Sequence, residues 1–201
     1  MATYIFEQIA NQGKAEGYKP GDPASREWYR EAAGDVTSVN VRKELRNTNK
    51  LQTKLTEMDI GRMYMFFYSP KHADTLPYYD RFPLTFVIER YRDGFLGMNL
   101  HYLSPMYRAR MMDALYTVER NDALRESQKL RLSYNLLTSS AKYKYYRPTV
   151  KRYLTQHVKS RYLYVPSEDW DTALMLPTER FRKAKKQQVW RDSKASIRKR
   201  R

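Results

Sequence analysis

Leu84-Thr85-Phe86-Val87-Ile88-Glu89-Arg90-Tyr91-Arg92-Asp93-Gly94-Phe95-Leu96-Gly97-Met98-Asn99-Leu100-His101-Tyr102 is the stretch on which the fold turns. Leu84 to Glu89 is an apolar run of strand length, and Arg92, Asp93 and Gly94 supply turn chemistry, since glycine accepts positive φ without strain. The return limb alternates: Leu96, Met98, Leu100 and Tyr102 fall on one face, Gly97, Asn99 and His101 on the other. That period of two predicts an antiparallel hairpin with one face on a core and His101 on the solvent face.

Upstream of the hairpin, Met63 to Tyr68 reads as a buried strand ended by Ser69 and Pro70, and Lys71 to Phe82 as a loop. The aromatic part of that loop, Tyr78 to Phe82, is expected to close one end of the sheet. Downstream, Ser104 and Pro105 open a helix with Met111, Leu115 and Val118 on one side and Arg108 and Arg110 off that stripe, ending near Arg120 to Asp122. A second helix is predicted from Leu124 to Ala141. A third is predicted from Pro148, where Val150, Tyr153, Leu154, His157 and Val158 recur at helical spacing and leave Lys151, Arg152 and Lys159 off the apolar face. Tyr162 to Val165 reads as a strand, and Ala173 to Leu176 as another before Pro177. Near the N-terminus, Asp22-Pro23 marks a helix start followed by Trp28, Ala32 and Val36; beyond Asn47 to Asn49 a further helical piece runs through Leu51, Leu55 and Met58. The expected class is therefore α+β: a small curled antiparallel sheet or partial β-barrel with a helical insertion, N-terminal helices and a basic C-terminal tail. The expected division is a helical extension over 1–57, a core domain over 58–177 and a tail over 178–201.

Two hundred and one residues with 41% apolar content suffice for one core. Cysteine is absent, which excludes disulfides and thiolate metal sites. No run approaches the ~18 apolar residues of a membrane span, and the first twenty residues carry Glu7, Lys14, Glu16 and Lys19. The chain reads as soluble, without a secretion signal and without a membrane partner.

Charge is the second strong signal. No acid lies between Glu126 and Glu168, where nine Lys or Arg (Lys129, Arg131, Lys142, Lys144, Arg147, Lys151, Arg152, Lys159, Arg161) are interleaved with seven Tyr. From Thr178 to Arg201, eleven cations face only Glu179 and Asp192. These two blocks hold more than the whole net charge of +16, so the excess is local, which is the footprint of a polyanion partner. The candidate DNA-contacting residues are Lys142, Lys144, Arg147, Lys151, Arg152, Lys159 and Arg161 in the first block. In the second they are Arg180, Arg182, Lys183, Lys185, Lys186, Arg198, Lys199, Arg200 and Arg201. Tyr143, Tyr145 and Tyr146 cannot all face one core, which makes them candidates for stacking on bases. The tail, whose last twenty residues offer only Val189, Trp190 and Ile197 as large apolar groups, reads as a polyelectrolyte arm, disordered in isolation. Six to eight phosphate contacts would give a slope of log K against log salt of about −5 to −7. No base-reading helix is evident, so little sequence preference is expected.

Catalytic chemistry is thin. His72, His101 and His157 show no metal-pair spacing, Ser139 and Ser140 lack elbow glycines, and seven glycines form no phosphate loop. Asp74, Asp80 and Glu89 could serve a Mg²⁺ nuclease, but Glu89 is followed by Arg90 and Tyr91, without the lysine two residues on that restriction-type cores present. Turn and edge-strand roles explain these acids as well, so no metal, cofactor or catalytic residue is assigned.

Three segments carry a family resemblance: Met63 to Tyr68, Thr75 to Pro83 and Asp93 to Leu103. Together with Trp170-Asp171, Ala173-Leu174 and Leu176-Pro177-Thr178-Glu179-Arg180-Phe181, they resemble the DNA end protector proteins of T-even-like tailed phages and their marine relatives. The N-terminal part matches only through Ser25 to Tyr29. The resemblance implies a virion component added late in head completion at the head–tail vertex, present in the host cytoplasm during assembly and after injection. It would bind the ends of packaged double-stranded DNA, shield them from host exonuclease, contact other head or neck proteins, and catalyse nothing. Competing readings are a neck or adaptor protein with basic arms, a metal-dependent nuclease and an RNA-binding protein.

Overall fold

The computed structural model describes residues 12–18, 28, 51–52, 58–119, 121–142, 146–167, 170–175 and 178–198. Among them the strands are β1 (Leu51–Gln52), β2 (Met63–Met65), β3 (Tyr79–Asp80), β4 (Leu84–Tyr91), β5 (Gly94–Asn99), β6 (Val150–Leu154), β7 (Tyr162–Val165) and β8 (Phe181–Arg182). The longer helices are α1 (Pro105–Glu119), α2 (Glu126–Lys142), α3 (Trp170–Met175) and α4 (Lys186–Arg198). Six strands form one antiparallel sheet in the order β1-β7-β2-β4-β5-β6, and β3 pairs with β8 in a separate ribbon. The architecture is α+β, as expected.

The hairpin lies near the sheet centre. Thr85 pairs with Asn99, Phe86 with Met98 and Val87 with Gly97; a register shift between Val87 and Glu89 then brings Tyr91 opposite Gly94. Such an irregularity sharpens the twist, and the sheet curls. Phe95 and Tyr162 stand on strands three places apart, about 14 Å in a flat sheet at ~4.8 Å per strand. Their ring centroids are nevertheless 6.2 Å apart. The chain after β2 also meets the chain after β6, through Ser69 N–H to His157 O (3.0 Å) and Lys159 N–H to Phe67 O (2.7 Å). The sheet is thus a roll that does not close into a barrel.

Both faces of the roll are covered. Met63, Met65, Leu84, Phe86 and Met98 pack with Met111, Leu115, Leu137, Trp170 and Leu174 of the helices. Tyr64, Phe66, Val87, Phe95, Tyr153 and Tyr162 fill the concave side as an aromatic cluster. The expectation of a solvent face on the return limb is therefore wrong: Asn99 and His101 are both 0% exposed. Arg108, expected off the apolar stripe of α1, is also buried.

Gly94 is needed for a reason other than positive φ, which among the described glycines is found only at Gly17 and Gly61. A Cβ on Gly94 would lie 1.9 Å from the backbone oxygen of Tyr153, so its constraint is the close approach of β6.

Four further expectations are corrected. Residues 150–154 are the edge strand β6, between single 3-10 turns at Arg147–Thr149 and Thr155–His157, where a third helix was expected. Nine residues of apolar spacing do not separate helix from strand, and Val150 with Tyr153 suits a pleated surface better. The segment around Ala173 is helix α3, because Trp170, Ala173 and Leu174 at i, i+3 and i+4 bury one face. Leu51 lies in β1, paired with Leu163 of β7, and not in a helix. Residues 178–198, read as an arm, are folded: β8 completes the ribbon, and α4 buries Val189 and Ser193. Of the expected N-terminal helix, Trp28 alone falls among the described residues, where it is helical; Asp22, Pro23, Ala32, Val36 and Leu55 lie outside them.

Gly94→Ala should destabilise the fold by about 2 kcal/mol or more, as overpacked sites do, lowering Tm by roughly 4–8 °C for a chain of this size. A thermal melt followed by circular dichroism checks this, and an unchanged Tm would show that β6 can yield.

Candidate nucleic-acid interface

Tyr78 to Pro83, Asn99 to Tyr102 and Thr178 to Phe181, all within the resembling segments, converge on one buried polar cluster. Its centre is Asp80, whose Oδ2 takes the Asn99 side-chain amide (3.1 Å) and His101 Nδ1 (2.7 Å). Oδ1 accepts the backbone N–H groups of Phe82 (3.0 Å) and Arg180 (3.2 Å). Burial alone would raise this carboxyl, but electrostatic attraction to His101 and the hydrogen bonds from His101, Phe82 and Asn99 hold it below its ordinary value. Asn99 also donates to the Tyr153 hydroxyl (3.1 Å), and His101 Nε2 meets Thr178 Oγ1 at 3.1 Å.

The sequence Asp80–His101–Thr178 has the connectivity of a hydrolytic relay, yet His101 and Thr178 are at most 1% exposed. A scissile bond has no access to that hydroxyl, and the cluster acts as a structural tie. Asp80 does not join Asp74 and Glu89 in a metal site: its four acceptor positions are used, the other two are exposed, and no metal-binding group of three gathers among the described residues.

Arg108 extends the tie. Its guanidinium donates to the backbone oxygens of Leu103 (2.9 Å), Leu174 (3.1 Å) and His101 (3.4 Å), and to Glu179 Oε1 (2.5 Å). Burial would raise the Glu179 carboxyl, but Arg108, then His101 and Lys186, push it down to about 2. Trp190 of α4 donates its indole N–H to His101 O (2.9 Å). The C-terminal segment is thereby fastened to the hairpin, to α1 and to the end of α3.

This fastening sets the β3–β8 ribbon, where Tyr79 pairs with Arg182 and Asp80 with Phe181. Arg81 N–H bonds Arg180 O, and Tyr68 N–H bonds Arg81 O, both at 2.9 Å, which lays the ribbon beside residues 67–69. Between them opens a cleft of about 550 Å³ lined by Ser69, Tyr79, Arg81, Lys159, Arg182 and Lys183, with Phe67 and Tyr68, and by no acid. Lys183 sits at the lip in the left-handed region, with φ of 65°. Its ammonium is held by the backbone oxygens of Asp74 (2.6 Å) and Leu76 (3.1 Å). A shallower hollow continues past Lys183 along Lys185, Gln187, Gln188 and Arg191 at the start of α4.

Of the sequence candidates, the fold brings together Lys159 from the first block and Arg182, Lys183 and Lys185 from the second. Arg147 and Arg161 are exposed elsewhere on the surface. Lys151 shares a face with Tyr153, its ammonium 4.1 Å from the centre of the Tyr102 ring, and burial lowers its pKa to about 8. Arg152 pairs with Asp93 and stacks on Tyr91. Lys186 lies 3.8 Å from Glu179 and faces Trp190. Arg180 gives its backbone N–H to Asp80. Tyr146 packs, half-buried, against the helix-side core. Tyr143, Lys144, Tyr145, Lys199, Arg200 and Arg201 lie outside the described residues, as do the side chains of Lys142 and Arg198. Sequence reasoning missed Arg81 and Tyr79 as cleft residues. Their one signal was the cation within the aromatic loop, which had been read as an end cap.

Fold and cleft together define a small basic α+β protein with four cations over an open cleft that no acid lines. Residues 5–194 match the family model described as Phage T4 terminal DNA protecting protein, and the chain belongs to that family. No curated protein and no solved structure matches it.

Glu179 has a folded pKa below its ordinary 4.5. Its contribution to stability is therefore complete above pH 4.5 and lost as pH falls towards 2. At ~1.4 kcal/mol per pKa unit this is on the order of 3 kcal/mol. Urea unfolding across that range should show the loss in the native protein. Glu179→Gln should be less stable at pH 7 by about 3 kcal/mol, since Arg108 stays buried without its counter-charge, and should show a flatter acid limb. Parallel acid limbs in the two proteins would contradict the assignment.

Proposed function

We propose that the protein binds the termini of linear double-stranded DNA with little sequence preference and shields them from host exonuclease, without catalysis. The observation that carries this reading is the meeting of Lys159, Arg182 and Lys183, from two separate basic segments, with Arg81 in one acid-free cleft, on a chain of the terminal DNA protecting family. Protection needs occupancy of an end, and phosphate neutralisation supplies occupancy without reading bases. In this proposal the protein is a virion component, joins the head late, near the head–tail vertex, and contacts other head or neck proteins there. After injection it stays with the DNA end in the host cytoplasm.

An exonuclease trap tests the reading. The protein should slow digestion of linear duplex by an ATP-dependent exonuclease and bind closed circles more weakly. Lys159→Ala with Arg182→Ala should reduce the magnitude of the salt slope by about 2 and shorten the protection time. Equal affinity for linear and circular DNA, with no protection, would favour an adaptor role whose cations meet acidic protein surfaces.

A further inference from the structure

We infer that the cleft between residues 67–69 and the β3–β8 ribbon takes a single-stranded DNA terminus, with phosphates on Arg81, Lys159 and Arg182 and a base on Tyr79. This deepens the end-binding reading and rests on it. The size suits a short stretch of one strand: a cleft of about 550 Å³ falls in the range of small-ligand sites, ~300–1,000 Å³.

The lining also matches one strand. Single-strand sites combine a cationic track for the backbone with aromatic faces for bases, and only an unpaired base exposes its face to a side chain. Here Tyr79 and Phe67 both line the cleft, and Phe67 packs on Phe82, their ring centres 4.7 Å apart. Arg81, Lys159 and Arg182 have no acidic partner among the described residues, so their charge is available to phosphate. Lys183 spends two of its three ammonium donors on the Asp74 and Leu76 oxygens and has one left at the lip. Ser69 also lines the wall.

The lining is also built into the fold. Tyr79 and Arg182 are register partners across the ribbon, and Lys159 is fixed by its backbone bond to Phe67 O. Paired backbone fixes where these side chains start, so no loop has to be ordered on binding and the cost is confined to the side chains themselves.

The test compares fluorescent DNA hairpins that differ only at the open end, one blunt and one with a four-nucleotide single-stranded extension, by anisotropy and in the exonuclease trap. The native protein should bind the extended end at least tenfold more tightly. Tyr79→Ala and the pair Lys159→Glu, Arg182→Glu should remove that preference, with the circular dichroism melt unchanged. Photo-crosslinking of 5-iodouracil in the extension to the native protein should label Tyr79 or its cleft neighbours, and this reads out even where a variant fails to fold. Equal binding of the two ends, or a crosslink mapping away from the cleft, overturns the proposal. If blunt ends are still protected in that case, end protection stands and only the cleft assignment falls; if neither end is protected, both readings fall.

Discussion

A carboxylate buried as deeply as Asp80 must be saturated by donors, because an unmet charge in a low-dielectric interior costs several kcal/mol. Its four donors come from the ribbon corner at Phe82, from the hairpin at Asn99 and His101, and from Arg180. No one of these segments satisfies Asp80 alone, so the carboxylate holds all of them in one arrangement. Arg108 repeats the device one layer deeper, collecting three carbonyls and Glu179. Between them the two residues convert a pair of short strands, too small to persist alone, into a fixed wall.

Surface charge inherits that rigidity. Tyr79 and Arg81 flank Asp80 in sequence, and Arg182 is the register partner of Tyr79. The acid that is wholly inside therefore dictates where the cations outside stand. The division of labour also explains why a net charge of +16 does not translate into sixteen equivalent binding groups. Arg152 is paired with Asp93, Lys186 lies near Glu179, Lys151 rests on a ring, and Arg108 is internal. Of the cations that remain, Arg81, Lys159, Arg182 and Lys183 share one cleft, while others such as Arg147 and Arg161 stand apart on the surface.

Where the sequence was legible, a single physical cause governed the residues. The hairpin and α1 were readable because alternation and a proline at the helix start are local signals. His101 was misread because its concealment depends on Thr178 and Trp190, residues far along the chain that no local pattern announces. The same holds for β6: Val150, Tyr153 and Leu154 fit a helix until Phe95 stands opposite Tyr153 in the register. The tail was judged by its charge, and the apolar groups that dock it are few: Val189 is buried, and Trp190 succeeds by hydrogen bonding as much as by area. For the cleft, both cationic blocks were visible as composition. Their meeting point was not, since it is defined by pairing between residues about a hundred positions apart.

The tie from Asp80 to Thr178 and Arg180 also sets the order of events during synthesis. A ribosome emits Asp80 long before Arg180, and until Arg180 leaves the exit tunnel the β3 segment carries a charged side chain whose donors are incomplete. Until then the nascent chain stays in an unfinished state, exposed to chaperones and proteases, and the cluster closes only once Arg180 is free to pair. A chain that stops before Thr178 would lack the Thr178 contact to His101, the Arg180 N–H on Asp80 and the Trp190 N–H on the His101 oxygen, and the polar groups they serve would lose those partners.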